Sequence, residues 1–238
     1  MLRIWHVVYL TIIASCIGFM IYTTTRAARD VNVGQFQAAL IRHTNNYDTL
    51  TWLGVPIWQP PLDLWILQET IAEVKPELII ECGTFKGGSS LYFAQLFDLM
   101  GTNGRVITVD IEKLHKLSHP RVTYLIGDSV SPAIVEQIRE RARGVAGPIM
   151  VILDSDHSKA HVAEELELYA GFVTPGSYVH VQDGVIDAQP MFTESRPGPL
   201  RAIEDFLGKH SDFEVDQARS DRFLITNHPK GWLRKRAT

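Results

Sequence analysis

Acidic side chains recur at the ends of the apolar runs that the sequence marks as β-strands. Five follow one another in chain order: Glu81, Asp110, Asp128, Asp154 and Asp183. A single acid at such a place commonly caps the next helix, whereas five around one edge of a parallel sheet would surround a ligand bound outside the strand ends. The spacing therefore predicts a polar ligand site at the carboxyl ends of the strands.

The first of these acids opens a glycine-rich loop, residues 81–90, with the sequence ECGTFKGGSS. Glycines at a strand-to-helix turn let a ligand approach the backbone and the helix N-terminus. Gly83 and Gly87 depart from the dinucleotide G-x-G-x-x-G spacing, which argues against a dehydrogenase. Asp110, after the next strand, is placed to accept hydrogen bonds from ribose hydroxyls. Asp128 could bind an exocyclic adenine amine or simply form a turn.

Alternating helical and strand-like segments from Leu62 onward supply the frame for these acids. The pattern predicts an α/β fold with a doubly wound, mostly parallel, Rossmann-like sheet. Predicted helices are Leu62–Ile71, one from Gly87, Pro132–Arg143, His161–Gly171 and Leu200–Leu207. Predicted strands are Glu77–Glu81, Arg105–Asp110, Val122–Ile126, Pro148–Asp154, Ser177–Gln182, and two near Phe213–Asp216 and Arg222–Thr226.

The segment Ile4–Tyr22 contains no formally charged residue and is long enough to cross a bilayer as a helix. A buried soluble helix and a cleaved signal peptide are the alternatives, but Thr25-Arg26-Ala27 is a poor cleavage site. We expect residues 1–26 to form a single-pass transmembrane anchor, residues 27–50 a juxtamembrane helix and connector, and residues 51–238 one folded domain with a basic tail. Basic residues after the span favour a cytoplasmic domain.

The charge distribution bears on possible partners. The 45% apolar fraction excludes a disordered chain, and two cysteines exclude a disulfide scaffold. A formal net charge of −4 argues against a nucleic-acid partner. Since seven of the 23 basic residues lie at the two ends, Asp30–His228 holds 16 bases against all 27 acids, a formal −11. The basic ends could both face anionic lipid if the tail folds back.

Taken together, the motifs resemble the cephalosporin hydroxylase family, within the class I S-adenosylmethionine-dependent methyltransferases. That family is similar to metal-dependent O-methyltransferases and includes rhamnosyl O-methyltransferases. The resemblance extends over Thr51–Trp232 and is carried by Pro61-Leu-Asp-Leu, Lys75–Ser90, Val109-Asp-Ile, His119-Pro-Arg-Val, Gly127-Asp-Ser, Leu153–Ser158 and Thr174–Val179.

The resemblance implies an O-methyltransferase that uses S-adenosylmethionine and Mg²⁺ and acts on a hydroxyl of a sugar, glycolipid or other secondary metabolite. The residues implied for the cofactor are Glu81, Gly83, Thr84, Gly87, Ser89, Asp110 and Asp128. Those implied for the metal are Asp154, Gln182 and Asp183. The family pattern usually has an acid where this chain has Gln182. The resulting set of two carboxylates and one amide oxygen is competent but would bind metal more weakly. Asp156 is an alternative first ligand.

His157 is the predicted proton acceptor, because a neutral imidazole can take a proton near physiological pH. The alternative is that His157 and His161 bond to the backbone at the start of a helix. Asp156 with the two histidines could also form a non-haem iron triad, but the glycine loop and Asp110 would then have no role.

The proline-rich segment Gly184–Pro199 is either a lid or a variable surface loop, and we expect it to help select the acceptor. Arg196 and Arg201 could meet an anionic group, although solvated surface charges are the simpler interpretation. A different class of function is a catalytically weak, membrane-anchored binding or scaffold module, with Gln182 as the sign of a decayed site. The sequence does not decide whether the chain forms a homo-oligomer.

Overall fold

Helices and strands alternate along the chain from residue 51 onward. The computed structural model describes the backbone of residues 2–237 and the side chains of residues 11–25 and 32–237. The helices are α1 Leu2–His43, α2 Pro61–Val74, α3 Gly88–Met100, α4 Pro132–Ala142, α5 Lys159–Tyr169, α6 Val185–Ala188, α7 Pro199–Leu207 and α8 Gln217–Ser220. The strands are β1 Thr51–Trp52, β2 Val55–Pro56, β3 Leu78–Cys82, β4 Arg105–Asp110, β5 Val122–Ile126, β6 Ile149–Leu153, β7 Tyr178–Val181, β8 Phe213–Val215 and β9 Trp232–Lys235.

Seven strands form the central sheet in the order β5-β4-β3-β6-β7-β9-β8. The first five are parallel, and β9 runs antiparallel to both neighbours. Every residue of β3 and β6 is buried, as expected where helices cover both faces of a parallel sheet. The chain reverses its direction of winding between β3 and β6, so this edge is the expected ligand crevice. The predicted mostly parallel α/β fold is confirmed.

Helix starts carry the local signals that the sequence displays. Ser131 and Ser158 lie just before α4 and α5, and each hydroxyl accepts an N–H from the first turn. Proline occupies the first turn of α2, α4 and α7, where its missing N–H costs nothing. The helices pack through two apolar clusters, one on each side of the sheet. Local capping thus fixes where each loop at the sheet edge ends.

The last strand is not where the sequence pattern places it. Residues 222–226 lie in a turn region, with Leu224 at φ +66°, and the strand is Trp232–Lys235 instead. Trp232 is fully buried and stacks on His180 of β7, with ring centroids 3.9 Å apart. The basic residues Arg234 and Lys235 therefore belong to the sheet, where Arg234 pairs with Tyr178. The prediction of a strand near residues 222–226 was wrong because burial of Trp232 outweighs local strand propensity.

The N-terminal segment is one helix, α1, whose C-terminal part contacts the rest of the chain. Ala38 and Ile41 are buried, and Gln37 Nε2 donates to the carbonyl of Thr226 at 2.7 Å. Among the described side chains, residues 11–25 and 32–237, no helix is both long and apolar enough to cross a membrane. Residues 4–10 of the predicted span lie outside the described side chains.

Replacing Trp232 by Ala should lower the free energy of unfolding by about 3–5 kcal/mol, because the vacated volume is fully enclosed. Leu224→Ala is the matched control: Leu224 is 63% exposed, and we expect a loss below about 0.5 kcal/mol. Urea denaturation of both variants measures the difference. Equal losses would show that the C-terminal strand does not complete the core.

Candidate functional site

A cavity of about 550 Å³ opens at the carboxyl edge of the sheet. Its lining comes from the loops after β3, β4, β5, β6 and β7, as predicted for an open α/β sheet. Eight residues predicted for the site line it: Gly83, Thr84, Ser89, Asp110, Asp128, Asp154, His157 and Asp183. Glu81, Gly87 and Gln182 are not among the residues that line the cavity.

The glycine loop is shaped by close packing as well as by its turn. Gly83 has φ +103°, and a Cβ on it would lie 2.0 Å from the carbonyl oxygen of Asp154. No side chain fits there, so glycine lets the loops after β3 and β6 meet. The N–H of Phe85 donates to Asp110 Oδ2 at 2.7 Å, and the hydroxyls of Thr84 and Thr108 lie 2.6 Å apart. The loop and Asp110 are therefore held as one unit.

Asp128 occupies a more exposed place on the rim. Its Oδ1 accepts the N–H of Val130 at 3.1 Å, which makes the turn that the sequence also allowed. The neighbouring Ser129 is buried and donates to Glu165 Oε1 at 2.6 Å. His161 Nε2 lies 3.0 Å from the same hydroxyl, and Glu165 raises the pKa of His161. His161 is thus joined to the loop after β5.

Glu81 carries a buried carboxylate beside the cavity. It is 1% exposed, and both its oxygens lack a hydrogen-bond partner among the described residues. Burial raises the pKa of Glu81 to about 7. A group with this pKa keeps much of its proton near neutral pH, so the acids that line the cavity, not Glu81, supply the charge that favours a cationic ligand.

A donor cluster lies at the base of the cavity. Ligand atoms of Asp154, His157 and Asp183 all lie within 4.8 Å of one another, and His157 Nε2 is 3.2 Å from Asp183 Oδ2. Burial, followed by the charges of Asp183 and Glu81, raises the pKa of Asp154 well above its usual range. Two carboxylates and an imidazole make a donor set suited to a divalent cation, and a cation would relieve the repulsion between the carboxylates.

Gln182 is attached to this cluster through a residue that sequence reasoning missed. Gln59, which is 3% exposed, donates through Nε2 to Asp154 Oδ2 at 2.9 Å and contacts the amide of Gln182. With its amide oxygen and nitrogen exchanged, Gln182 donates to Gln59 Oε1 at 3.0 Å and to Asp154 at 3.2 Å. Gln59 lies in the proline-rich loop before α2. No sequence pattern near Gln59 predicts its buried contact with Asp154.

Asp156 and His161, which the sequence offered as alternative metal ligands, are not part of the donor cluster. Asp156 is exposed, and its Oδ1 accepts the N–H of Ser158 at 2.7 Å, a bond that lowers the pKa of Asp156. Asp156 therefore stabilises the start of α5. Within the described side chains, the metal-ligating cluster contains Asp154 and His157, not Asp156 or His161.

The predicted lid forms α6 and a 3₁₀ turn over one side of the cavity. Val185, Ile186 and Phe192 line the cavity. The Arg196 guanidinium donates to the carbonyls of Ile186 and Gln189 at 2.8 and 2.7 Å, so it braces the segment. The segment thus contributes an apolar wall.

Two further walls come from outside the sheet. Asn46 and Tyr47 follow α1, and Trp58 lies in the loop before α2. The ring of Trp58 is 5.1 Å from that of Phe85 on the glycine loop. Aromatic residues of this kind usually pack in cores, but Trp58 is 44% exposed and lines the cavity.

The fold and the cavity together define the class I methyltransferase architecture: a mostly parallel sheet, a glycine loop after its first parallel strand and an acid after the next. A family model described as "Rhamnosyl O-methyltransferase/CmcI" matches residues 44–236. The chain is 37% identical over 190 residues to a rhamnosyl O-methyltransferase of Mycobacterium tuberculosis, with 77% of each chain covered. It is 33% identical over 225 residues to that of Mycobacterium leprae, covering 92% of this chain and 95% of the relative.

Solved structures resemble the fold. A CmcI structure described as "cmcI-D160 Mg-SAM" aligns with a TM-score of 0.65 at 21% identity, covering 81% of this chain and 78% of that chain. The O-methyltransferase TomG from Streptomyces achromogenes aligns with a TM-score of 0.51 at 16% identity, covering 86% and 90%.

The chain belongs to the rhamnosyl O-methyltransferase/CmcI family. The resemblance predicted from the motifs is thereby confirmed, as is the prediction of an O-methyltransferase.

Replacing Glu81 by Gln should change how stability depends on pH. The folded pKa of about 7 lies above the usual value of 4.5, so the folded state keeps a proton that the unfolded chain loses. The free energy of unfolding of the wild-type protein therefore falls as the pH rises through this window. Above about pH 7, the Glu81→Gln protein should be more stable than the wild-type protein by on the order of 3 kcal/mol.

Urea denaturation between about pH 5 and pH 8 measures this effect. Glu214→Gln is a suitable control, because Glu214 is a surface carboxylate that pairs with Arg236. Parallel stability profiles for Glu81→Gln and the wild-type protein would contradict the raised pKa.

Proposed function

We propose that this protein transfers a methyl group from S-adenosylmethionine to a hydroxyl of a sugar-containing acceptor, with the help of a divalent cation such as Mg²⁺. One observation carries the proposal: the Asp154–His157–Asp183 cluster lies in the same cavity as the glycine loop and Asp110. The name of the mycobacterial relatives, rhamnosyl O-methyltransferase, supports a sugar acceptor. The description of the CmcI structure with Mg and SAM supports the cofactors.

The cavity suits a cationic nucleoside cofactor. Asp110 is fixed by the N–H groups of Phe85 and Glu112, at 2.7 and 3.1 Å, and its carboxylate lines the cavity, where it could bind ribose hydroxyls. Gly83 and Ser89 bring backbone and hydroxyl groups to the same wall. The carboxylates of Asp110 and Asp128 add negative charge along the cavity lining, which favours a sulfonium or an ammonium group.

The residues at the base of the cavity have complementary roles. When bound, S-adenosylmethionine supplies the methyl group, and the divalent cation orients the acceptor hydroxyl and lowers its pKa. Asp154 and Asp183 would hold the cation. His157 would take the hydroxyl proton, and Asp183, whose Oδ2 lies 3.2 Å from His157 Nε2, would stabilise the imidazolium that forms.

The acceptor side of the cavity combines apolar walls with the polar cluster. Trp58 is 44% exposed and presents an aromatic surface to the cavity. Ile186 and Phe192, from the segment 184–199, form an apolar wall. Aromatic rings pack well against the C–H faces of sugar rings, while the polar edge of the sugar could face His157. The lid and the aromatic loop would therefore select the acceptor, as expected for the segment 184–199. A cytoplasmic location and self-association stay predictions.

Calorimetry with S-adenosylhomocysteine and with Mg²⁺ tests the binding part of this proposal. We expect the wild-type protein to bind both, and Asp154→Ala to lose at least about tenfold in Mg²⁺ affinity while binding of the nucleoside changes little. Asp156→Ala is the matched control, since that carboxylate caps α5, and its metal affinity should equal that of the wild-type protein. Failure to bind the nucleoside at millimolar concentration would favour the binding or scaffold alternative.

His157→Ala tests the chemical step. Its kcat should fall at least about 100-fold because the proton acceptor is lost, while the KM for S-adenosylmethionine stays close to the wild-type value. Transfer of a labelled methyl group to a rhamnose-containing acceptor measures both constants. His161→Ala, at the start of α5, serves as the comparison. A His157→Ala enzyme with unchanged kcat would exclude this histidine as the base.

A further inference from the structure

A buried histidine behind the donor cluster has no role in the chemistry described so far. His228 is 1% exposed, and its Nδ1 accepts the backbone N–H of Asp183 at 2.9 Å. Asp183 is a non-glycine residue in the left-handed region, at φ +56°. Such a conformation persists only where surrounding contacts hold it, and this hydrogen bond acts directly on the residue that would bind the cation.

The loop that carries His228 is itself fastened from a distant helix. Asp63, in the first turn of α2 and 1% exposed, accepts the hydroxyl of Thr226 at 2.6 Å and the N–H of Asn227 at 2.9 Å. The N–H of Val185 donates to the carbonyl of Asn227 at 2.9 Å. The turn after β7 is thus held at Asp183 and at Val185 by one loop, and that loop is bound by the buried carboxylate of Asp63 and by Gln37.

The same contacts select one form of the imidazole. Because Nδ1 accepts the N–H of Asp183, it carries a lone pair, and the ring proton belongs on Nε2. Nε2 faces Asp63 Oδ2 at 3.7 Å and makes no hydrogen bond among the described residues. The negative charge of Asp63 favours a proton on Nε2, so the carboxylate maintains the tautomer that can accept from Asp183.

We infer that His228, maintained by Asp63, is a positioning residue that sets the carboxylate of Asp183 for binding the divalent cation. This inference rests on the proposed function, because it concerns the same cation. The hydrogen bond fixes the backbone of Asp183, and the fixed backbone aims the side chain at the cluster with His157. Partners one step behind a metal ligand commonly change metal affinity by about 10-fold to 100-fold.

Two substitutions at His228 separate positioning from simple packing. The side-chain oxygen of asparagine can take the place of Nδ1 as acceptor, whereas leucine fills the space without an acceptor. Both lose the contact of Nε2 with Asp63. We expect His228→Leu to weaken Mn²⁺ binding at least about tenfold and His228→Asn to stay within about threefold of the wild-type protein. His210→Leu is the matched control, because it makes the same substitution at a histidine that pairs with Glu167 and not with a predicted metal ligand.

Electron paramagnetic resonance of free Mn²⁺ gives the metal affinity, and calorimetry with S-adenosylhomocysteine in the absence of metal gives a second, independent affinity. Support requires that His228→Leu loses metal affinity while the nucleoside affinity stays within about threefold. Metal binding by His228→Leu equal to wild type, or a parallel loss of both affinities, would overturn the inference. So would an equal loss of metal affinity in His228→Asn and His228→Leu. A wild-type protein that binds no Mn²⁺ would instead refute the metal part of the proposed function.

Discussion

Two carboxylates held side by side are the feature on which the rest of the site depends. Leu153 of β6 pairs with Val181 of β7 in a parallel register, so the residues that follow leave the sheet at the same level. Asp154 and Asp183 therefore converge, and burial, followed by the charge of Asp183, raises the pKa of Asp154. An arrangement of this kind is favourable only when a cation or hydrogen-bond donors offset the charge.

The surrounding structure supports the two carboxylates from several directions. Gln59 donates to Asp154, and His228 fixes the backbone of Asp183. Gly83 lets the glycine loop pass within contact of the Asp154 backbone, so that cofactor and metal regions share one cavity. Each of these contacts comes from a different part of the chain. The cluster is therefore a product of the whole domain, and its geometry should be sensitive to substitutions well outside the sheet edge.

The walls of the cavity come from two sets of elements, the loops of the sheet and three attached segments. The sheet loops carry the polar residues, while the end of α1, the loop before α2 and the segment 184–199 add Tyr47, Trp58 and Phe192. Ile41 of α1 packs with Tyr47 and Val185, so the helix and the lid form one apolar unit. Acceptor selection can thus change through these attachments without moving the donor cluster, since the two sets of residues lie on separate elements.

The sequence by itself determined the alternation of strands and helices, the glycine loop and the series of acids from Glu81 to Asp183, because strand ends and turns are set by residues close together in the chain. The last strand, the contact of Gln59 with Asp154 and the support of Asp183 by His228 required the tertiary structure. Gln59 and Asp154 are 95 positions apart, and Asp63 and Asn227 are 164 apart. No local pattern encodes such contacts, since they form only when packing of the complete sheet brings distant loops together.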